Sequence, residues 1–208
     1  MNKRFFSEAV IVGTEWAARL ALVNLVFLLF SIPIFTLLPS IVALFEVVRK
    51  WEKGDTKIPV FQTFLFCFRK NFWKSYLVGL PLTAVGIILF IDIQSLSSQT
   101  SAGFLVLRYA IYSLAILFAL LVLYSFPIFV QYTLSIPRVY FLALTIGVTK
   151  PLVTLSLLLS IAVIIGALLF WPALFFFFPF SLIALLATKT AAHSLQKFHS
   201  DKPITSSK

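Results

Sequence analysis

Four stretches of this chain carry no charged residue, and they decide what it can fold into. Arg19 to Glu46 encloses 26 uncharged residues, Lys74 to Asp92 encloses 17, Arg108 to Arg138 encloses 29, and Lys150 to Lys189 encloses 38. A helix that crosses a bilayer needs about 20 apolar residues, because each adds about 1.5 Å through a hydrocarbon core about 30 Å thick. The chain is 61% hydrophobic and 12% charged. Soluble domains run at about 45–50% and about 25%, so a water-soluble fold has nowhere to put the surplus. The 24 Phe residues exceed what one small core buries, whereas lipid-facing helix surfaces accommodate them. An open strand in hydrocarbon leaves backbone groups unpaired, and these runs lack the alternation of a barrel strand. The expected fold is all-α: a multi-pass transmembrane helix bundle occupying residues 1–208 as one membrane domain.

The stretches divide into spans by length. Residues 17–35 make a first span, 76–91 a short one anchored by Trp73 and Lys74, and 104–130 a third with polar ends. The last stretch holds two, 151–170 and 173–188, with a tight turn near Trp171-Pro172, where proline ends or begins a helix. A polar tail, 189–208, follows. Pro33 and Pro39 bracket a break, after which Thr36–Val48 is an apolar helix about 20 Å long. It is a short return crossing, a re-entrant segment, or a helix lying on the membrane surface. Five spans result if it does not cross and six if it does.

Orientation follows from basic residues in short loops. Seven Lys and Arg lie in 49–74 (Arg49, Lys50, Lys53, Lys57, Arg69, Lys70, Lys74), four in the tail (Lys189, Lys197, Lys202, Lys208), and none in 92–103. The first two regions, and with them the C-terminus, are expected in the cytoplasm. A net charge of +10 distributed this way points to anionic lipid rather than nucleic acid. Glu8, Glu15 and Arg19 interrupt the approach to the first apolar run, and no small-x-small site follows it, so the run does not read as a cleaved signal peptide. Cys67 is the single cysteine, which excludes an intrachain disulfide and a cysteine-based metal cluster.

Pro59–Ser75 is the most informative segment outside the spans. At about 100° per residue, Phe61, Leu65, Phe68 and Phe72 share one face and Thr63, Cys67, Lys70 and Lys74 the other. This describes a cytoplasmic interfacial amphipathic helix at 59–75. Two roles suit it: a membrane anchor that aims the next span, or a docking surface built from Phe61, Phe64, Leu65, Phe68, Arg69, Lys70, Phe72 and Trp73, since exposed aromatic and Arg residues are what interfaces favour. A second segment, 137–149, follows the third span. Phe30-Ser-Ile-Pro-Ile-Phe35 echoes Tyr124-Ser-Phe-Pro-Ile-Phe129, a candidate internal repeat.

Ion-coupled transporters usually hold charge inside the bilayer, and this chain has almost none there. Glu46 reads as a residue at the membrane boundary rather than a proton carrier, and Asn24 as a hydrogen-bond partner for a neighbouring helix. Gly79 and Gly86 allow another helix to approach closely. His193 and His199 have no second ligand at metal spacing. No H-E-x-x-H, G-x-S-x-G or P-loop pattern occurs. No enzyme activity, metal or cofactor is expected.

The order of segments resembles the YesL-like family of bacterial integral membrane proteins. The likeness lies in Asn24-Leu-Val-Phe-Leu-Leu-Phe-Ser-Ile-Pro33, Leu37-Leu-Pro39, Ala43-Leu-Phe45 and Val48-Arg-Lys50. It continues through Pro59-Val-Phe61 and Phe68-Arg-Lys-Asn-Phe-Trp-Lys-Ser75. Phe129-Val-Gln-Tyr132 departs from it, standing where the family carries an Arg-Phe pair. The resemblance implies a multi-pass protein of the bacterial cytoplasmic membrane, encoded beside carbohydrate-uptake and polysaccharide-degradation functions, notably sugar ABC importers. The expected function is then a non-catalytic accessory subunit that contacts membrane lipids and the permease subunits of a carbohydrate ABC importer. The alternative is an independent small-solute transporter or channel, with a path lined by Asn24, Thr83 and the broken helix at 31–39.

Overall fold

The computed structural model describes residues 2–97, 102–132, 134–171, 174 and 176–201. Every regular element among them is helical: α1 (Asn2–Ser31), a 3-10 turn (Ile34–Thr36), α2 (Leu37–Glu52), α3 (Val60–Ser97), α4 (Ala102–Gln131), α5 (Ile136–Thr149), α6 (Pro151–Phe170) and α7 (Pro179–Asp201). Three stretches are long and apolar enough to cross a membrane, Gly13–Ser31, Val60–Leu96 and Gly103–Gln131. The pair α5 and α6, bent by 93° at its break, makes a fourth if it is one broken span. The chain is an all-helical membrane protein.

Local chemistry sets the ends. Pro33 is extended and stops α1, while Pro39 falls in the first turn of α2, where a missing N–H costs nothing. Thr36 is buried in the break. Its hydroxyl donates to the carbonyls of Phe30 (2.6 Å) and Pro33 (2.7 Å), and Pro33 O also accepts the Thr36 N–H at 2.9 Å. The C-terminus of α2 closes on Gly54, whose φ of +98° suits glycine. The Gly54 N–H donates to Trp51 O and the Asp55 N–H to Lys50 O, the paired bonds of a Schellman cap. The polar turn Trp51–Lys57 thus ends a helix, as its sequence suggests.

Several expectations change. Within segment 36–48, Thr36 closes the 3-10 turn and residues 37–48 belong to α2, which is an interior helix. It packs against α1, α3, α4 and α7, with Val42, Ala43, Val47 and Val48 at zero exposure. With neighbours from four helices around it, α2 forms the centre of the bundle. The 59–75 helix and the 76–91 span are one continuous helix, α3. Nothing between Ser75 and Tyr76 interrupts the hydrogen-bond ladder, and Pro81 is tolerated inside it. The final helix begins at Pro179 rather than 173 and continues to Asp201. Residues 189–201 are therefore helix and not a loose tail, because Ala191 and Ser194 keep a buried face beyond Lys189. The predicted turn at Trp171-Pro172 and the end of the tail fall partly or wholly outside the described residues. The two proline motifs also differ: Phe30–Phe35 breaks a helix, whereas Tyr124–Phe129 lies within α4 around Pro127.

Close packing follows small residues. A side chain at Gly79 would collide with Leu38 of α2, and one at Gly86 would press on Phe118 of α4 at 3.3 Å. Phe45 of α2 stacks on Phe126 of α4 at 6.2 Å. Trp16 of α1 meets Trp51 edge-on at 6.0 Å, which sets the first part of α1 beside the end of α2.

Candidate functional site

The first half of α3 divides sharply into two sides. Val60, Thr63, Phe64, Cys67, Phe68, Asn71, Ser75 and Val78 are buried, at steps of three and four that keep them on one stripe. Phe30 of α1 holds that stripe, with ring centroids 5.5 Å from Phe64 and 5.2 Å from Phe68. The other side is open: Phe61 is 48% exposed, Phe66 60% and Trp73 79%. Of the eight residues expected to form a docking face, Phe61, Arg69, Lys70 and Trp73 are exposed, Leu65 and Phe72 are half-buried, and Phe64 and Phe68 face the core. The sequence reading missed Phe66, which carries the Lys50 ammonium over its ring at 5.9 Å. In Phe61-Gln-Thr-Phe-Leu-Phe-Cys-Phe68 nearly every position is apolar, so periodicity alone does not say which side turns inward.

Two open grooves follow this exposed side. One, about 500 Å³, runs between Phe61, Gln62, Phe66, Arg69 and Lys70. The other, about 680 Å³, is almost wholly apolar and bounded by Phe35, Phe72, Trp73, Tyr76 and Leu80. The Tyr76 hydroxyl donates to Phe35 O and ties α3 to the break after α1.

A second, more polar site adjoins this side at Lys70 and Leu77. Glu46, expected at the membrane boundary, is buried between α2 and α3. Its carboxylate accepts from the Asn71 amide and from Lys70 Nζ at 3.4 Å. One turn on, Arg49 donates to the carbonyls of Val130 (2.6 Å) and Gln131 (3.1 Å), the last of α4. Gln131 in turn donates to Thr188 O at 2.9 Å. Between these groups and Lys74, Tyr132 and Ser135 lies a cleft of about 590 Å³. Burial pushes the Tyr132 phenol up, with Glu52 adding to the effect and Arg49 opposing it. It therefore stays protonated.

Asn24 is fully buried and does what its sequence context suggests. Its carbonyl accepts from the N–H groups of Phe180 and Ser181, each at 3.1 Å, and its amide donates to Phe176 O at 2.8 Å. These are the second and third N–H groups of α7, the ones an N-cap side chain normally serves. Phe178 occupies the cap position and has no oxygen to offer, so α1 supplies it. Asn24 and Thr83 do not meet: Thr83 is exposed on α3 and bonds to Gly79 O at 2.9 Å within its own helix. Among the described residues no three of His, Cys, Asp and Glu come together as a metal site.

Comparison with known proteins fits this architecture. The model for the family described as "Protein of unknown function, DUF624" matches residues 20–93, the region from α1 through most of α3. The uncharacterized protein YesL of Bacillus subtilis (strain 168) is 33% identical over 177 residues, covering 84% of this chain and 83% of that protein. The chain belongs to the YesL-like family. Two further relatives from the same organism are the uncharacterized proteins YteU, 32% identical over 174 residues (82% of this chain and 78% of that protein), and YesV, 30% identical over 202 residues (94% and 95%). No solved structure matches. The family match includes Asn24, Glu46, Arg49, Lys70 and Asn71, so both polar centres described above lie within its region.

Proposed function

We propose that this chain is a non-catalytic membrane subunit that docks another integral membrane protein through the exposed aromatic–basic side of α3. The observation that carries this reading is the row Phe61, Phe66 and Trp73, open beside Arg69. The helix is 38 residues long, or about 57 Å, nearly twice the thickness of the hydrocarbon core. Its charge-free half, 75–91, suits lipid. Its first half bears Arg69, Lys70, Asn71 and Lys74 and belongs at the basic edge, where aromatic and Arg side chains favour protein contact. In this reading the partner is the permease of a carbohydrate ABC importer in the cytoplasmic membrane, as the family resemblance implies.

The same reading takes α2 as a short return pass, giving six passes with both termini cytoplasmic. Its support is the Trp16–Trp51 contact, which sets the first part of α1 beside the basic end of α2. Single cysteines at positions 8 and 55 in a background without Cys67 test this. Both react only from the cytoplasmic face if α2 crosses, and from opposite faces if it does not.

Co-purification in gentle detergent tests the function. A stoichiometric complex with permease subunits, lost in the Phe61→Ala/Phe66→Ala/Trp73→Ala variant while insertion persists, supports it. Loss of insertion in that variant makes the face a lipid anchor instead. Sugar transport by the lone protein in liposomes overturns the accessory role.

A further inference from the structure

We propose that the cleft between α2, α3 and the α4–α5 turn binds the phosphate of an anionic phospholipid. Three cations line it, Arg49, Lys70 and Lys74, against one carboxylate, Glu46. Glu46 is already held by Lys70 and Asn71. Arg49 rests on two neutral carbonyls, which fix its plane without cancelling its charge. The cleft therefore keeps a surplus of positive charge, which attracts an anion.

A second element adds to the field. The 14-residue helix α5 opens at the cleft, with Ser135 at its N-cap and Ile136 at its first position. The Ser135 hydroxyl caps no N–H of the helix, so the positive end of the helix dipole meets the cleft without a side-chain cap.

The remaining walls decide between a soluble anion and a lipid. Val42, Leu77, Phe129 and Ile136 give the cleft an apolar floor. Leu77 and Lys74 lie on the outer side of α3, with Leu77 59% exposed, so the floor continues onto surface open to acyl chains. Charge at the rim and hydrocarbon below match a molecule that carries both. Basic pockets between transmembrane helices bind lipid headgroups in this manner.

The test uses the purified full chain in neutral detergent, with native mass spectrometry across a titration of phosphatidylglycerol or phosphatidylcholine. Phosphatidylglycerol should remain bound and phosphatidylcholine should not. Lys74→Gln should weaken retention about fivefold, and Lys70→Gln/Lys74→Gln about 25-fold, as one and two surface charges predict. Lys57→Gln, which removes the same charge outside the cleft, should leave retention unchanged. Equal retention of the two lipids, or an equal loss in the Lys57 variant, overturns the assignment. Displacement by millimolar inorganic phosphate also overturns it, by showing that the site takes a soluble anion.

Discussion

Replacing Asn24 with Leu, a side chain of nearly the same size, should cost this protein far more than its single polar group suggests. The change removes three hydrogen bonds to α7, two accepted from N–H groups and one donated to a carbonyl. It leaves those backbone groups where water does not reach, since Asn24 has zero exposure. Interhelical hydrogen bonds in membranes average about 0.6 kcal/mol and reach about 1.7. Three together give about 2 kcal/mol at the low end and about 5 at the high end. For a chain of this size each kcal/mol moves the unfolding midpoint by about 2–4 °C, so the low end is a fall of about 4–8 °C. Cys67 supplies the readout, being the single cysteine and fully buried. A maleimide that fluoresces on reaction stays dark until the core opens, and a thermal ramp in detergent then reports the midpoint. Asn24→Asp keeps oxygens on both N–H groups and should lose less than Asn24→Leu. A Leu variant that melts with the wild type would refute the idea that α1 caps α7.

The same thiol assay reads three further expectations. Arg49→Gln removes charge-assisted bonds to the end of α4 and should cost about 1.5–3 kcal/mol. Hydrogen exchange should rise around Val130 and Gln131, and a change confined to α2 would contradict the link. Asn71→Leu should destabilise more than Lys70→Gln: it strips the buried partner of Glu46, whereas the Lys70 side chain is 54% exposed and its ion pair is screened. The reverse order would mean that the ion pair, not the amide, holds Glu46. Gly79→Val should force Leu38 aside and cost about 1–3 kcal/mol, while Gly103→Val, with open space around it, should leave the midpoint unchanged.

What could be read in advance depended on the kind of signal. The helical class, α4 and α6 were legible because charge marks the ends of uncharged runs and proline or polar residues confirm them. The turn at Gly54 was legible for the same local reason. The two sides of α3 were not, since Phe61 to Phe68 offers apolar residues in every direction and the packing of α1 and α2 against it decides which turn inward. Asn24 could be read as a partner of another helix but not of which one. Its acceptor and donors lie more than 150 residues away, and the cap exists because Phe178 lacks an oxygen. The partner of Glu46 was not legible, because sequence spacing does not reveal that Asn71 comes round to meet it. The extension of α7 past Lys189 was hidden by its polar composition, which masks the buried Ala191 and Ser194.

The brevity of α2 has a bearing on how the molecule is made. At 16 residues, about 24 Å, this helix does not bridge the oily layer upright by itself, and its Glu46 and Arg49 make early delivery into lipid unfavourable. Its shelter is assembled from α3, α4 and α7, all of which leave the ribosome later. The centre of the protein is therefore among its first parts synthesised and among its last to be seated, and a chain cut short before α7 should be left with that piece stranded and open to quality-control proteases.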